Sequence, residues 1–186
     1  MSMRQISIFA LLFLSACSTS KKITPGICDE YFKSVKSHTI KGTKHCRSIL
    51  IANGVVIRTE EVNASLLRHV DVIKCPDAYK TYGDIGTNGV IVEETKQTFD
   101  FIIPSQVDYK RKSDYLNKNK TYFLNGYLIT NDSLRISKKA IVRTEVLTAK
   151  SYSNGFDNDS IVIINIWTLT KKEVRKSLRK WSRSYD

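Results

Sequence analysis

Apolar residues in this chain come in short bursts separated by turn residues, with few long periodic runs. Ser48-Ile49-Leu50-Ile51-Ala52 and Val55-Val56-Ile57 flank Asn53-Gly54. Asn-Gly between apolar runs is a strong short-range signal for a hairpin closed by a type I′ turn. Residues 60–69 set Val62, Leu66 and Leu67 on one face and predict a helix. Val70-Asp71-Val72-Ile73-Lys74 alternates as a strand, and a helical turn is expected after Cys75-Pro76, through Ala78 and Tyr82. Gly83, Gly86 and Gly89 then crowd together and run straight into Val90-Ile91-Val92. Glycines this dense mark backbone that takes positive φ, or that something approaches closely. The β-branched run after them reads as a buried strand. Residues 79–96 are therefore the stretch around which the first half is organised: strand, short helix, glycine turn, strand.

The second half repeats the theme. After an apolar stretch at 99–104, residues 108–120 become polar and rich in Lys and Arg, as expected of a linker or exposed excursion. Tyr122-Phe123-Leu124-Asn125-Gly126-Tyr127-Leu128-Ile129 then restates the apolar, Asn-Gly, apolar pattern, with Asn125 lying 72 residues after Asn53. A helix-like segment at 132–140, a strand at 141–147, a glycine-containing loop at 151–159 and a strand at 160–169 follow. The element order matches the first half, which predicts an α+β fold of small mixed-sheet units duplicated in tandem. Two unrelated hairpin-rich halves are the alternative. At the ends, Ile27, Tyr31 and Val35 predict a short helix before a polar loop at 38–47. Val174, Leu178, Trp181 and Tyr185, with Lys and Arg between them, predict an amphipathic basic helix. That helix either docks on the sheet or lies on a membrane surface with Trp181 at the headgroups.

The first sixteen residues stand apart from this pattern. Arg4 precedes an apolar run at 6–14, too short for the roughly 20 residues that span a bilayer. Leu14-Ser15-Ala16-Cys17 resembles the lipobox of bacterial lipoproteins, which implies lipid attachment at Cys17 and a membrane-anchored envelope location. Ser18 favours the outer membrane, facing the periplasm. The expected layout is a signal peptide at 1–16, a tether at 17–26, one unit at 27–104, the polar linker at 105–120, a degenerate second unit at 121–170 and the basic helix at 171–186. The whole chain carries a formal charge of +12, and its last sixteen residues contribute Lys171, Lys172, Arg175, Lys176, Arg179, Lys180 and Arg183 against two acids. Such a balance favours anionic lipid or polysaccharide surfaces; nucleic acid is not an expected partner of an envelope lipoprotein. Cys28, Cys46 and Cys75 leave open one disulfide, with three possible pairings, or three free thiols.

The segment 47–96 resembles the plug domain of TonB-dependent outer-membrane receptors. The residues that carry the resemblance are the hairpin Ile49 to Ile57, Val72-Ile73-Lys74, Ala78, Tyr82-Gly83, Asn88-Gly89-Val90-Ile91 and Thr95-Lys96. The departures are Asn53 for the usual Asp, Cys75-Pro76 for a small acidic stretch, and Glu93-Glu94 at the strand end. The second half lacks Tyr-Gly and Asn-Gly-Val, so no functional residue transfers to it. A receptor barrel of about 22 strands at about 10 residues each would exceed the 186 residues of this chain. The resemblance therefore implies a free-standing plug-like module that binds an envelope protein or serves a structural role. Tyr82, Gly83, Gly86, Asn88 and Gly89 form the candidate interaction loop.

Catalytic chemistry finds little support. His38, His45 and His69 are the three histidines, and no Gly-x-Ser-x-Gly, P-loop or His-Glu-x-x-His occurs. His45-Cys46 with His38 is a poor match to metal-ligand spacing. His69 and Cys75 flank one strand about 20 Å apart at strand rise, too far for a thiol–imidazole pair. No enzyme activity, cofactor or metal is expected.

Overall fold

The computed structural model describes residue 40 and residues 47–109, 118–148 and 161–182. The signal peptide, Cys17, the tether, the helix expected from Ile27, the loop at 151–159 and Arg183 lie outside the described residues, as do Cys28 and Cys46. The fold is α+β, with two mixed sheets and few helices.

The first hairpin forms as its turn chemistry dictates. β1 (Ile49–Ala52) and β2 (Val55–Ile57) pair antiparallel, with Ala52 opposite Val55. Asn53 and Gly54 take φ of 49° and 77°, the two positive values that a type I′ turn requires. β3 (Leu67–Ile73) leads into the short helix α1 (Asp77–Tyr82) and a 3₁₀ turn at Gly83–Gly86, and β4 (Val90–Thr95) follows. β4 lies parallel to β1 and antiparallel to β3. Strand, short helix, glycine turn and strand therefore appear as the residues predict.

The second half supplies β6 (Asn119–Leu124), β7 (Tyr127–Leu128), β8 (Arg135–Ser137), β9 (Arg143–Thr148) and β10 (Ile161–Trp167), after a two-residue β5 (Phe101–Ile102). The strands form a six-stranded sheet, β3-β4-β1-β2-β8-β5, and a four-stranded sheet, β7-β6-β10-β9. Four strands of each follow one plan. A hairpin's first strand lies parallel to a later strand, and that strand is antiparallel to the one before it in sequence.

The details of the turns agree as well. Asn53 N–H donates to the Glu93 carbonyl at 3.0 Å, and Asn125 N–H donates to the Ile166 carbonyl at 2.8 Å. Two residues further on, Asn53 Oδ1 accepts the Thr95 N–H at 3.1 Å and Asn125 Oδ1 accepts the Thr168 N–H at 2.8 Å. Each hairpin asparagine thus clamps a threonine at the end of the parallel strand, Thr95 as the last residue of β4 and Thr168 as the residue after β10.

One core spans both halves. Ile49, Ile51, Val56 and Val90 of the first sheet pack with Leu124, Tyr127, Ile129, Leu134, Ile136 and Ile166. The alternate residues Leu50, Ala52, Val55, Ile57 and Ile91 form a second cluster on the other face of the first sheet, against Val62 and Phe99.

Two expectations are corrected. Residues 60–69 are not a helix: 3₁₀ turns at Thr59–Glu61 and Ala64–Leu66 lead straight into β3. Asn63 Oδ1 takes the Ser65 N–H, a side-chain turn that competes with helix, and Leu67 onward pairs with β4. Residues 132–140 are likewise not a helix. Their central Ile136 is fully buried on β8, which joins the first sheet between β2 and β5, and a 3₁₀ turn at Lys138–Ala140 follows. At the ends of the stretch expected as a polar linker, Val107 and Tyr109 are buried and β6 begins at Asn119, while residues 110–117 lie outside the described residues.

Candidate interaction surfaces

The glycine loop is held inward, and its glycines are the reason it can be. Gly83 ends α1 with φ of 65°, and a Cβ there would sit 2.8 Å from Thr130 Oγ1 in the second half. Gly86 has no special φ, but a Cβ would lie 2.2 Å from the Ala78 carbonyl oxygen, so any side chain would drive the turn off α1. Gly89, at φ of 81°, is buried beside β4. Between them Asp84 and Ile85 are buried, Ile85 within the main core. Asn88 Nδ2 donates to Tyr127 Oη at 2.9 Å, while the Asn88 carbonyl accepts Ser48 Oγ–H at 2.8 Å. None of residues 82–89 is exposed. The close approach that the glycines serve is made by the chain itself: Tyr82, Gly83 and Asn88 meet the second half, while Gly86 and Gly89 fit against Ala78 and Ile73 of the first.

The basic helix has a well-anchored start. α2 (Lys171–Ser182) begins after Thr170, whose N–H donates to Glu173 Oε2 at 2.7 Å while Glu173 N–H donates to Thr170 Oγ1 at 3.2 Å. This reciprocal capping box satisfies two end amides. The signal Thr170-Lys171-Lys172-Glu173 was readable in the sequence and was overlooked there. Glu173 Oε1 also meets Arg47 at 2.8 Å and Oε2 lies 3.7 Å from Arg58, tying the helix to both ends of the first hairpin. Partial burial pushes the Glu173 carboxyl up, but the Thr170 hydrogen bonds and the Arg47 guanidinium outweigh it and hold it below the ordinary carboxylate range. Lys171, Lys172, Arg175 and Lys176 are exposed, while Glu173 and Val174 are half-buried. Four of the seven expected cations thus share an open surface; the side chains of Arg179 and Lys180 and all of Arg183 lie outside the description.

The rest of the surface carries two distinctive features. β3 is an edge strand whose residues 68–72 are all exposed, Val70 and Val72 among them. Glu93, on β4 between Ala52 and Val70, is 1% exposed, and its Oε2 has no hydrogen-bond partner. Burial pushes its carboxyl up from the ordinary value.

Among the described residues no group of three or more metal-ligating side chains gathers. Cys75 is disulfide-bonded, so it offers no thiol to His69 and is not one of three free cysteines. A groove of about 420 Å³ is lined by Ile103, Pro104, Lys120, Tyr122, Ile129 and Asp132. Among the described residues no helix is long and apolar enough to cross a membrane. Comparison with protein-family models, with curated proteins and with solved structures returns no match.

Proposed function

We propose that this chain is a lipid-anchored envelope module that works by binding, built from two plug-like units related by tandem duplication. The observation that carries this reading is the shared strand plan with its paired asparagine clamps. Residues 47–96, which resemble a receptor plug, supply four strands of the first sheet, and the same four-strand plan recurs around Asn125. Cys17 is the proposed anchor, in the outer membrane facing the periplasm. No catalytic step is proposed. The proposed contact surface comprises the half-buried Tyr82, Gly83 and Asn88 of the glycine loop together with the exposed strand edge and helix face. Affinity purification of the tagged full chain from gently crosslinked cells tests the reading. An outer-membrane receptor or envelope complex in the eluate is the expected result; a preparation free of any envelope protein, itself included as a crosslinked multimer, would overturn it.

A second reading has its own support in the exposed cations of α2. Lys171, Lys172, Arg175 and Lys176 offer a compact positive surface suited to anionic lipid or polysaccharide. Vesicle sedimentation should then show binding that grows with anionic lipid and weakens with salt. Salt-insensitive binding rules this reading out.

A further inference from the structure

We propose that β3 is a pairing edge for a second copy of this chain, antiparallel and with Val70 on the two-fold axis. The inference rests on the binding-module reading and names a partner for it.

Long open edges invite strand addition, and proteins ordinarily shorten, cover or charge them. The far edge of the same sheet is β5, only two residues long. In the four-stranded sheet, β9 holds the position that β3 holds in the first, and five of its six residues are half-buried. β3 is seven residues long and its residues 68–72 are exposed, Val70 at 41% and Val72 at 45%. Those are two of the four large apolar side chains exposed among the described residues.

The charges on β3 select a register rather than forbid pairing. Centring on Val70 sets His69 opposite the second copy's Asp71, and Asp71 opposite its His69. The regular stretch of β3 begins at His69, after an irregularity at Arg68, which then lies beside Val72, so that no like charges meet. Centring on Asp71 instead would oppose two carboxylates, and directly opposed like charges are unfavourable; centring on His69 or on Val72 would forfeit both His69–Asp71 pairs. In the single chain Asp71 Oδ1 accepts the Val72 N–H at 2.7 Å, which shields one amide of this strand. Pairing exchanges that contact for the second copy's His69.

A seven-residue edge contact falls short of the ~1,000 Å² expected of a stable interface, so the pair is weak in dilute solution. Copies tethered through Cys17 to one membrane share a thin layer, and the raised effective concentration favours a contact that dilute protein would lose.

The test is thiol crosslinking of the full lipidated chain in membranes, using a bis-maleimide with a reach of about 8 Å. In the proposed register two Val70→Cys residues face each other at about 5 Å, whereas two Arg68→Cys residues lie four positions apart, about 13 Å. The expected result is dimer from Val70→Cys at least tenfold above Arg68→Cys and above the unsubstituted chain, which controls for native cysteines. Asp71→Lys should abolish it, and His69→Asp combined with Asp71→Lys should restore it. Equal dimer from Val70→Cys and Arg68→Cys, or none from Val70→Cys, overturns the proposal. Crosslinking of Val70→Cys to a different protein overturns self-pairing while leaving the binding-module reading intact.

Discussion

Replacing Glu93 with isoleucine should stabilise the protein, and the chain itself nominates the replacement. Glu93 and Ile166 occupy matching places: each carbonyl accepts the N–H of its hairpin asparagine, and each precedes the clamped threonine by two residues. Ile166 is fully buried in an apolar core; Glu93 is 1% exposed and leaves Oε2 without a partner. A buried polar group without a hydrogen bond costs about 1–3 kcal/mol, so Glu93→Ile should recover roughly that amount near pH 7.5. For a domain of this size each kcal/mol corresponds to about 2–4 °C in Tm. The pH dependence separates relief of an unpaired charge from better packing. Burial raises the folded-state pKa above its unfolded value. The native state is therefore favoured by Glu93 below the unfolded value, and that advantage is lost as pH rises through the raised folded value. The gap between variant and wild type should be small in acid and widen toward neutrality. Urea unfolding near pH 4 and near pH 7.5 reads this directly. A variant no more stable than wild type at neutral pH, or a gap that does not change with pH, would refute the reasoning.

The remaining expectations concern the loop, the clamp, the helix start and the helix face. Gly86→Ala places a methyl 2.2 Å from the Ala78 carbonyl oxygen and should cost about 1–3 kcal/mol in chemical denaturation; an unchanged midpoint would mean that the turn moves freely. Asn125→Ala removes a buried side chain that accepts the Thr168 N–H and donates to Thr168 Oγ1 at 2.7 Å. It should cost about 2–3 kcal/mol and exceed Asn53→Ala at the exposed first turn, a ranking that thermal unfolding checks. The lowered carboxyl of Glu173 contributes stability above its unfolded value that is lost as pH falls through the folded one. Because that side chain is 25% exposed, Glu173→Gln should cost at most about 1 kcal/mol, and only at the higher pH. Converting Lys171, Lys172, Arg175 and Lys176 to Ala removes about 1 kcal/mol of attraction each at an anionic bilayer. Vesicle affinity should then fall by up to about a thousandfold, and an unchanged affinity would exclude this face.

What was legible in the sequence was local chemistry. Asn53-Gly54 and Asn125-Gly126 announce their hairpins because positive φ suits few residue pairs, and all four residues do take positive φ. The β-branched runs at Val90 and Ile161 announce β4 and β10 for a similarly local reason. The misread segments were decided at a distance. Residues 60–69 have a helical spacing of apolar side chains, but Leu66 accepts the Lys96 N–H and Leu67 pairs with Thr95, contacts that no window of ten residues contains. β8 was hidden for the same reason, since its partners β2 and β5 come from the first half. The glycine loop was legible, but the groups that approach its glycines were not. A glycine demanded by close approach looks the same whether a ligand or the chain's own Ala78 and Thr130 make the approach.

The duplication we propose turns the differences between the halves into an argument about use. Where the two units agree, in strand plan, parallel pairing and asparagine clamp, the shared features are those that any such unit needs to close its sheet. Where they differ, a duplication implies a second constraint on one of them. Unit one keeps five exposed residues along the edge strand β3, while β9 in unit two is mostly half-buried. Unit one also holds a buried, unpaired Glu93 in β4, next to that edge, where unit two has Ile166. A polar residue retained beside an open edge costs stability, and folding alone gives no reason to keep it. Glu93 faces Val70, the residue on the proposed axis, so the cost and the open surface fall on neighbouring strands at one position. If edge pairing is the function that β3 serves, Glu93→Ile should stabilise the single chain and still alter the yield of Val70→Cys crosslinking. Unaltered crosslinking in that background would separate the two features and leave Glu93 without a role at the edge.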